Sequence, residues 1–388
     1  MLSSFNRLRT GTLTLSLPDG SRTTFQGLEP GSTAVMQVSR WEVFERLLSY
    51  GDVALGEDYV ERWWDTPDLP EFMNFAVENI SVFENIIRPG SFLKFILMLK
   101  HRLLSNTLAR SRRNIQNHYD LGNDFYRLWL DESMTYSCAL FNGDTKLDLK
   151  TAQKEKYGRI LGRLAPNPGN RLLDIGCGWG GFMEEAANRN CHVTGVTLSA
   201  GQAEFARKRL SLAGLQDLTD VRLKDYRELK GPFDHIASIG MFEHVGEAYW
   251  PVFMRQVHDF LNPGGKAMIQ TIIVPEDRFD SYRNSNDFLR EHIFPGAMLP
   301  TRNRFEKAAV GSALRVNDVF HFGRDYAITL GKWLENFDNR LGEIKDLGYD
   351  EPFIRKWRFY LAGCMAMFRA GLMDVIQVEL TRSPAKPG

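Results

Sequence analysis

A run of ten residues, Leu172-Leu173-Asp174-Ile175-Gly176-Cys177-Gly178-Trp179-Gly180-Gly181, carries the first chemical signal. It reads as the end of a strand, a glycine turn and the start of a helix. Glycines let a backbone turn tightly and approach a ligand with no Cβ in the way. Gly176, Gly178 and Gly181 satisfy the GxGxxG spacing of dinucleotide sites. Such a site also needs an acid about 20 residues further on to hold a ribose. Val196-Thr197-Leu198-Ser199 stands at that place, without one. Asp174 lies just before the glycines, where a carboxylate suits a cationic ligand. The pattern favours S-adenosylmethionine (SAM), a sulfonium, over a nicotinamide dinucleotide.

Two further clusters have chemical potential. Glu243-His244 follows a strand-like run and lies between Gly240 and Gly246, so it is either an exposed loop or a site at a strand's carboxyl end. Asp225-Tyr226-Arg227 is either a solvated strand end or a ligand contact. The four cysteines, Cys138, Cys177, Cys191 and Cys364, are far apart and form no CxxC pair. That excludes a zinc knuckle and a disulfide framework, and it fits a reducing cytoplasm. No metal site is expected.

The elements that must position these residues alternate. Strands are expected at 171–175, 192–198, 220–223, 235–239 and 266–272, with helices between them, for example 200–213 and 249–261. This alternation predicts an α/β fold, a doubly wound, Rossmann-like sheet. The N-terminal part has another texture. Thr12–Leu17 alternates polar and apolar, Pro18-Asp19-Gly20 supplies a turn and Thr23-Thr24-Phe25 returns, which reads as a hairpin. Helices are expected near 41–48 and 57–64. The chain therefore divides into a smaller α+β domain, 1–105, and a catalytic domain, 106–388.

Lys plus Arg equals Asp plus Glu, 48 of each, so net charge selects no partner. Local charge does. Arg88 to Arg113 carries seven basic side chains and no acid, around the apolar run Phe92–Leu99. That run is shorter than the roughly 18 residues a spanning helix needs, and the first 20 residues lack a secretory signal. The stretch is either an interfacial helix that meets anionic headgroups or a core helix with a basic linker. Nothing resembling a helix-turn-helix or an RNA-binding motif accompanies the charge, so no nucleic acid is expected.

Beyond these readings, the ordered motifs resemble those of cyclopropane fatty acid synthases. Asn117–Tyr126, Met134–Ala139, the glycine loop, Val196–Gln202, Lys224–Arg227 and Ser238–Gly246 carry the likeness. Ile293–Gly296, Leu299-Pro300, Asp325-Tyr326, Gly363-Cys364 and Met367–Arg369 continue it over 114–382. The N-terminal part resembles the leading domain of the bacterial synthases more loosely, and mycolic acid cyclopropane synthases usually lack that domain.

The resemblance implies SAM-dependent alkylation of unsaturated phospholipid acyl chains, giving cyclopropane fatty acids. It implies that Tyr136 and Ser137 lie against the methionine end of SAM with Gly176 and Gly178 beneath. Thr197 and Gln202 would hold the ribose, and Asp225 the adenine side. Asp174, Cys177, Trp179, Gly180, Leu198, Ser199 and Phe242 complete the expected cofactor set. It further implies a bound bicarbonate as base, held by Cys138, Glu243, Ile272 and Tyr326, with Gln270 where many bacterial synthases have histidine. Gln can donate to an anion but cannot pass a proton. A methyl- or methylene-branched product without ring closure is therefore a second reading, and a catalytically silent lipid-binding protein a third. Cys364 is credited in the family as catalytic, yet it shares a helical face with Trp357, Leu361 and Phe368, the pattern of an inert buried thiol. The resemblance also implies a homodimer, cytoplasmic and peripheral at the inner membrane surface.

Overall fold

The computed structural model describes residues 2–86 and 121–382. The basic stretch Arg88–Arg113, the expected boundary at 105/106 and the pair His118-Tyr119 lie outside these residues. The chain divides into two compact units, and the division is not a single cut. The first unit takes 1–104 and also 280–295 and 330–372, while the second takes 105–279, 296–329 and 373–388.

The first unit holds a four-stranded sheet of order β2-β1-β3-β4, with β1 Thr10–Ser16, β2 Arg22–Gln26, β3 Glu29–Val38 and β4 Trp64–Asp65. The expected hairpin is present: β1 and β2 run antiparallel with Thr14 opposite Thr24, and Gly20 N–H closes the turn on Leu17 O at 2.9 Å. Helices form at Glu42–Tyr50 and Asp52–Val60. The helix expected to reach residue 64 stops short, because Arg62 turns the chain at φ 58° and Trp64 pairs with Val38 in the sheet. The Trp64 indole is fully buried and donates to Leu55 O at 2.8 Å. Helix Glu351–Arg369 packs on helices Asp52–Val60 and Leu69–Glu78. Its Arg355 guanidinium is buried over the Tyr59 ring, donates to Tyr59 O at 2.7 Å and pairs with Asp65 at 3.2 Å.

The second unit is built on a seven-stranded sheet of order β10-β11-β9-β8-β5-β6-β7. Its strands are β5 Arg171–Ile175, β6 His192–Thr197, β7 Thr219–Leu223, β8 Phe233–Ile239, β9 Leu261–Ile273, β10 Leu314–His321 and β11 Asp374–Arg382. The five strands from β5 to β9 pair in parallel, as the alternation of elements requires, and β11 adds antiparallel between β9 and β10. The last two strands were not among those expected. They pair antiparallel, with β11 set between β9 and β10, so they fall outside the parallel β-α-β rhythm that marks β5 to β9. Tyr157, Ile160, Leu161 and Leu164 pack with Phe182, Met183 and β5 and β6 in one core cluster.

Packing at Gly195, within β6, is tight. A methyl there would run into Met183 Sδ and lie 2.9 Å from Cys177 Cβ, in the shell behind the glycine loop. Gly195→Val is expected to destabilise the protein by about 1–3 kcal/mol through overpacking, as measured by urea denaturation. An unchanged midpoint would show that Met183 can move aside.

Candidate active site

The glycine loop folds by hanging two amides on one carbonyl. Gly176 and Cys177 N–H both donate to Val196 O, at 3.0 and 2.9 Å. Gly176 has φ 86°, and a Cβ on it would come 3.0 Å from Met241 Cβ and Cγ. Only glycine keeps this turn open at the carboxyl end of β5. A cavity lies here, across the carboxyl ends of β5, β6, β7 and β8. Tyr136, Ser137, Asp174, Gly176, Cys177, Gly178, Trp179, Thr197, Leu198, Gln202 and Asp225 line it, as a cofactor role requires. Thr197 Oγ1 donates to Gln202 Oε1 at 2.8 Å, which joins the end of β6 to the following helix.

Three of the expected cofactor residues are elsewhere. Gly180 caps the helix that follows the loop, and a Cβ on it would press to 3.1 Å from Ala206. Ser199 caps helix Ala200–Leu212 by accepting from Gln202 N–H at 3.3 Å. Phe242 is fully buried against Trp250, Phe253 and Phe305. Short polar or apolar residues beside a ligand loop are as often caps and core as contacts, and these three are.

Charge in the cavity is arranged in pairs. Asp225 accepts from Arg227 Nε and Nη2 at 2.9 and 2.8 Å, a two-pronged pair that also lines the cavity. Burial pushes Asp174 up to about 7, against the opposing pull of Lys156. Burial also lowers His244 to about 4, so the imidazole is neutral at physiological pH.

One wall is the irregular segment Met134–Phe141, held by helix Leu149–Leu164. Gln153 Nε2 donates to Ser137 O at 2.9 Å, and Lys156 Nζ donates to Ser137 Oγ at 2.7 Å. The Tyr157 hydroxyl meets Thr135 Oγ1 at 2.9 Å. Lys156 is fully buried, and burial lowers it to about 7. From the other side, Ala139 N–H donates to Thr329 Oγ1 at 3.1 Å and Phe141 N–H to Asp325 Oδ2 at 2.6 Å. These bonds set Cys138 beside the first turns of helix Gly323–Asn339, which carries Tyr326, itself buried. The Cys138 thiol donates to Ala139 O at 3.2 Å, and burial raises it well above the ordinary thiol range.

Glu243 follows β8 in a short 3-10 turn whose flanks, Met241, His244 and Val245, line the cavity. Its Oε1 accepts from Ile272 N–H at 2.7 Å, and its main-chain O accepts from Met298 N–H at 2.9 Å. Oε2 is buried with no hydrogen-bond partner among the described residues, and burial pushes the carboxyl up to about 7. Gln270, two residues before Ile272 on β9, is also buried. Arg159 Nη1 donates to Gln377 Oε1 at 2.6 Å, and Gln377 Nε2 donates to Gln270 Oε1 at 3.0 Å. A guanidinium has no acceptor, so both amides are fixed in orientation and Gln270 turns its NH2 outward as a donor. Cys364, by contrast, belongs to the first unit's core with Trp357, Leu361 and Phe368, and burial raises its thiol far above the usual range.

Comparison with known proteins decides the family. The family model described as mycolic acid cyclopropane synthetase matches residues 106–378. The chain belongs to this family. It is 36% identical to the cyclopropane-fatty-acyl-phospholipid synthase of Escherichia coli over 90% of this chain and 88% of that protein. It is 34% identical to the tuberculostearic acid methyltransferase of Mycobacterium tuberculosis over 87% of this chain and 80% of that one. Among solved structures, a mycolic acid cyclopropane synthase complexed with SAH and CTAB superposes with a TM-score of 0.65 at 33% identity, covering 69% of this chain and 97% of that one.

Within the family frame, several residues at the site escaped the sequence reading. Gln153 and Lys156 form the clamp on Ser137, Tyr157 holds Thr135 beside it, and Arg159 and Gln377 orient Gln270. Lys156 had a visible signal: it falls in the buried phase of its helix with Leu149, Ala152, Gln153 and Ile160. A lysine in an apolar phase calls for a partner. Arg159 and Gln377 are 218 residues apart and had none.

The buried Glu243 carboxyl makes stability depend on pH. Unfolded, it titrates near 4.5, and folded near 7. Between those values the folded protein holds a proton that the unfolded chain has released, so stability falls as pH rises through this window. Glu243→Gln lacks that proton exchange. The variant is expected to gain on the parent from about pH 5 to pH 8, by up to about 3 kcal/mol, in urea denaturation at each pH. A difference flat with pH would place the carboxyl in contact with water.

Proposed function

We propose that this protein closes a cyclopropane ring on the cis double bond of unsaturated phospholipid acyl chains, with SAM as co-substrate. The observation that carries the proposal is Glu243: a buried carboxyl beside the SAM cavity, anchored by the Ile272 amide, with one oxygen left open to a ligand.

The chemistry follows from the reactants. The alkene π pair attacks the sulfonium methyl, the carbon–sulfur bond breaks toward sulfur, and the neighbouring alkene carbon becomes a cation. A methyl C–H bond then breaks, its electron pair closes the ring and the proton leaves. The site must keep water from the cation and hold a base at the methyl. Tyr126, Trp129, Tyr136 and Trp179 form a ring cluster on the cavity's wall, with centroids 5.1–5.6 Å apart, which fixes Tyr136 and excludes water. The Cys138 main chain, Glu243, Gln270, the Ile272 main chain and Tyr326 would hold a bicarbonate, which would supply the base when bound. The open Glu243 oxygen suits an ion with its own hydroxyl hydrogen, and the Gln270 NH2 suits an anionic oxygen. Glu243 and Gln270 hold and orient; neither needs to take the proton.

No helix among the described residues is long and apolar enough to cross a membrane. The protein works as a homodimer at a bilayer surface, peripheral on the cytoplasmic face of the inner membrane, with the Arg88–Arg113 stretch against anionic headgroups. One observation favours a second reading, a methyl or methylene branch without ring closure. The Arg159–Gln377–Gln270 chain leaves a pure donor at the place where relatives read histidine, so proton removal has one fewer participant.

Pure protein with SAM and vesicles of cis-unsaturated phospholipid is expected to add one CH₂ to the acyl chains, and NMR of the released acids is expected to show ring protons. Vinylidene or methyl-branch signals would establish the second reading, and unchanged chains would overturn both. Glu243→Gln is expected to lose product by at least about 100-fold while S-adenosylhomocysteine still binds; full activity would remove Glu243 from the mechanism.

A further inference from the structure

We propose that Lys156 is a positioning residue for the co-substrate: by donating to Ser137 Oγ, it fixes that hydroxyl as a donor into the cavity and selects a carboxylate there. The inference rests on the SAM reading above and assigns the site's recognition of the amino-acid end.

Lys156 Nζ is 2.7 Å from Ser137 Oγ, and the side chain has no exposed surface. An ammonium has three donors and no acceptor, so it can only occupy a lone pair of the serine oxygen. The serine hydrogen must then point elsewhere. Ser137 is held from its main-chain side as well, by Gln153, which fixes the backbone that carries the hydroxyl. Ser137 lines the cavity, and the free direction of its hydroxyl is toward the ligand.

The groups around the ammonium set the sign of what is recognised. Asp131 and Asp174 act on it through space, and the Tyr157 ring centroid lies 4.5 Å away. No carboxylate is within direct bonding distance among the described ion pairs, so the buried cation is only partly compensated. SAM offers two cationic groups, neutral acceptors on its nucleoside, and one anion, the carboxylate. A hydroxyl backed by a buried positive charge favours the anion over the neutral acceptors. Thr197 and Gln202, at the end of β6, lie along the cavity from Ser137 and suit the nucleoside.

The test compares S-adenosylhomocysteine with its decarboxylated analogue by titration calorimetry on the full chain at about pH 6, below the value of about 7 at which Lys156 gives up its proton. The parent protein is expected to prefer the carboxylate-bearing ligand by about tenfold or more, the strength of a charge-assisted hydrogen bond. In Lys156→Met that preference is expected to fall to within about twofold, with affinity for the decarboxylated analogue little changed. Ser137→Ala is expected to lose the preference in the same way, and the double variant to lose no more than either. A residue that merely packed the wall would weaken both ligands equally. Equal weakening, or a preference kept in Lys156→Met, would overturn the inference. Thermal melts check that each variant folds, and Ser137→Ala, which removes a single oxygen, carries the test if Lys156→Met does not. A parent protein that binds both ligands equally overturns this inference alone; one that binds neither overturns the SAM reading.

Discussion

A buried segment without helix or strand must still satisfy its backbone, and Met134–Phe141 depends on side chains to do so. Its Ser137 carbonyl accepts from Gln153, its Leu140 amide donates to Ala152 O, and its Ala139 and Phe141 amides end on Thr329 and Asp325. Two helices far apart in sequence thereby hold one loop. Everything the site needs from that loop follows: the Tyr136 ring, the Ser137 hydroxyl and the Cys138 main chain are set by these bonds. Removing one partner strands a buried polar group, which costs about 1–3 kcal/mol and loosens the cavity wall as well.

The second theme is how the site handles charge. The co-substrate brings a sulfonium and the reaction passes through a carbocation, so negative groups are useful but costly to bury. Asp174 and Glu243 show the compromise, both pushed up to about 7 by burial. Near neutrality each carboxyl can meet a cation or a ligand hydrogen without holding a full charge in isolation. Asp225 takes the other route and is neutralised by Arg227.

How much of this was legible depended on distance along the chain. Strand–turn–helix around Asp174–Gly181 is local, and the glycine loop, the strand positions from β5 to β9 and most cavity residues could be read directly. Glu243 was legible as a residue, but its anchoring by Ile272 was not, because it depends on the register of β9 against β8. β10 and β11 were missed because their pairing is antiparallel, between segments separated by 52 residues, most of them spent in the first unit. The glutamine chain was hidden for the same reason: Gln270 and Gln377 face each other only once β11 lies on β9. Gly180, Ser199 and Phe242 lie outside the cavity lining and serve as helix caps and core, since proximity in sequence to a ligand loop does not fix what a residue touches.

The insertion of β11 between β9 and β10 bears on how the protein is made. During synthesis β5 to β9 emerge in order and can pair as they appear, but β9 has an open outer edge until residues 374–382 leave the ribosome. Before that, the chain must lay down helix Glu351–Arg369 in the first unit, which itself waits for that late segment. Neither unit closes until its late segment, 330–372 for the first and 373 onward for the second, has been made. A nascent chain stalled before β11 exposes the edge that carries Gln270 and Ile272, a strand rich in apolar side chains and open to pairing with a neighbour. Chaperone demand and quality control should therefore concentrate on the interval between the synthesis of β9 and that of β11.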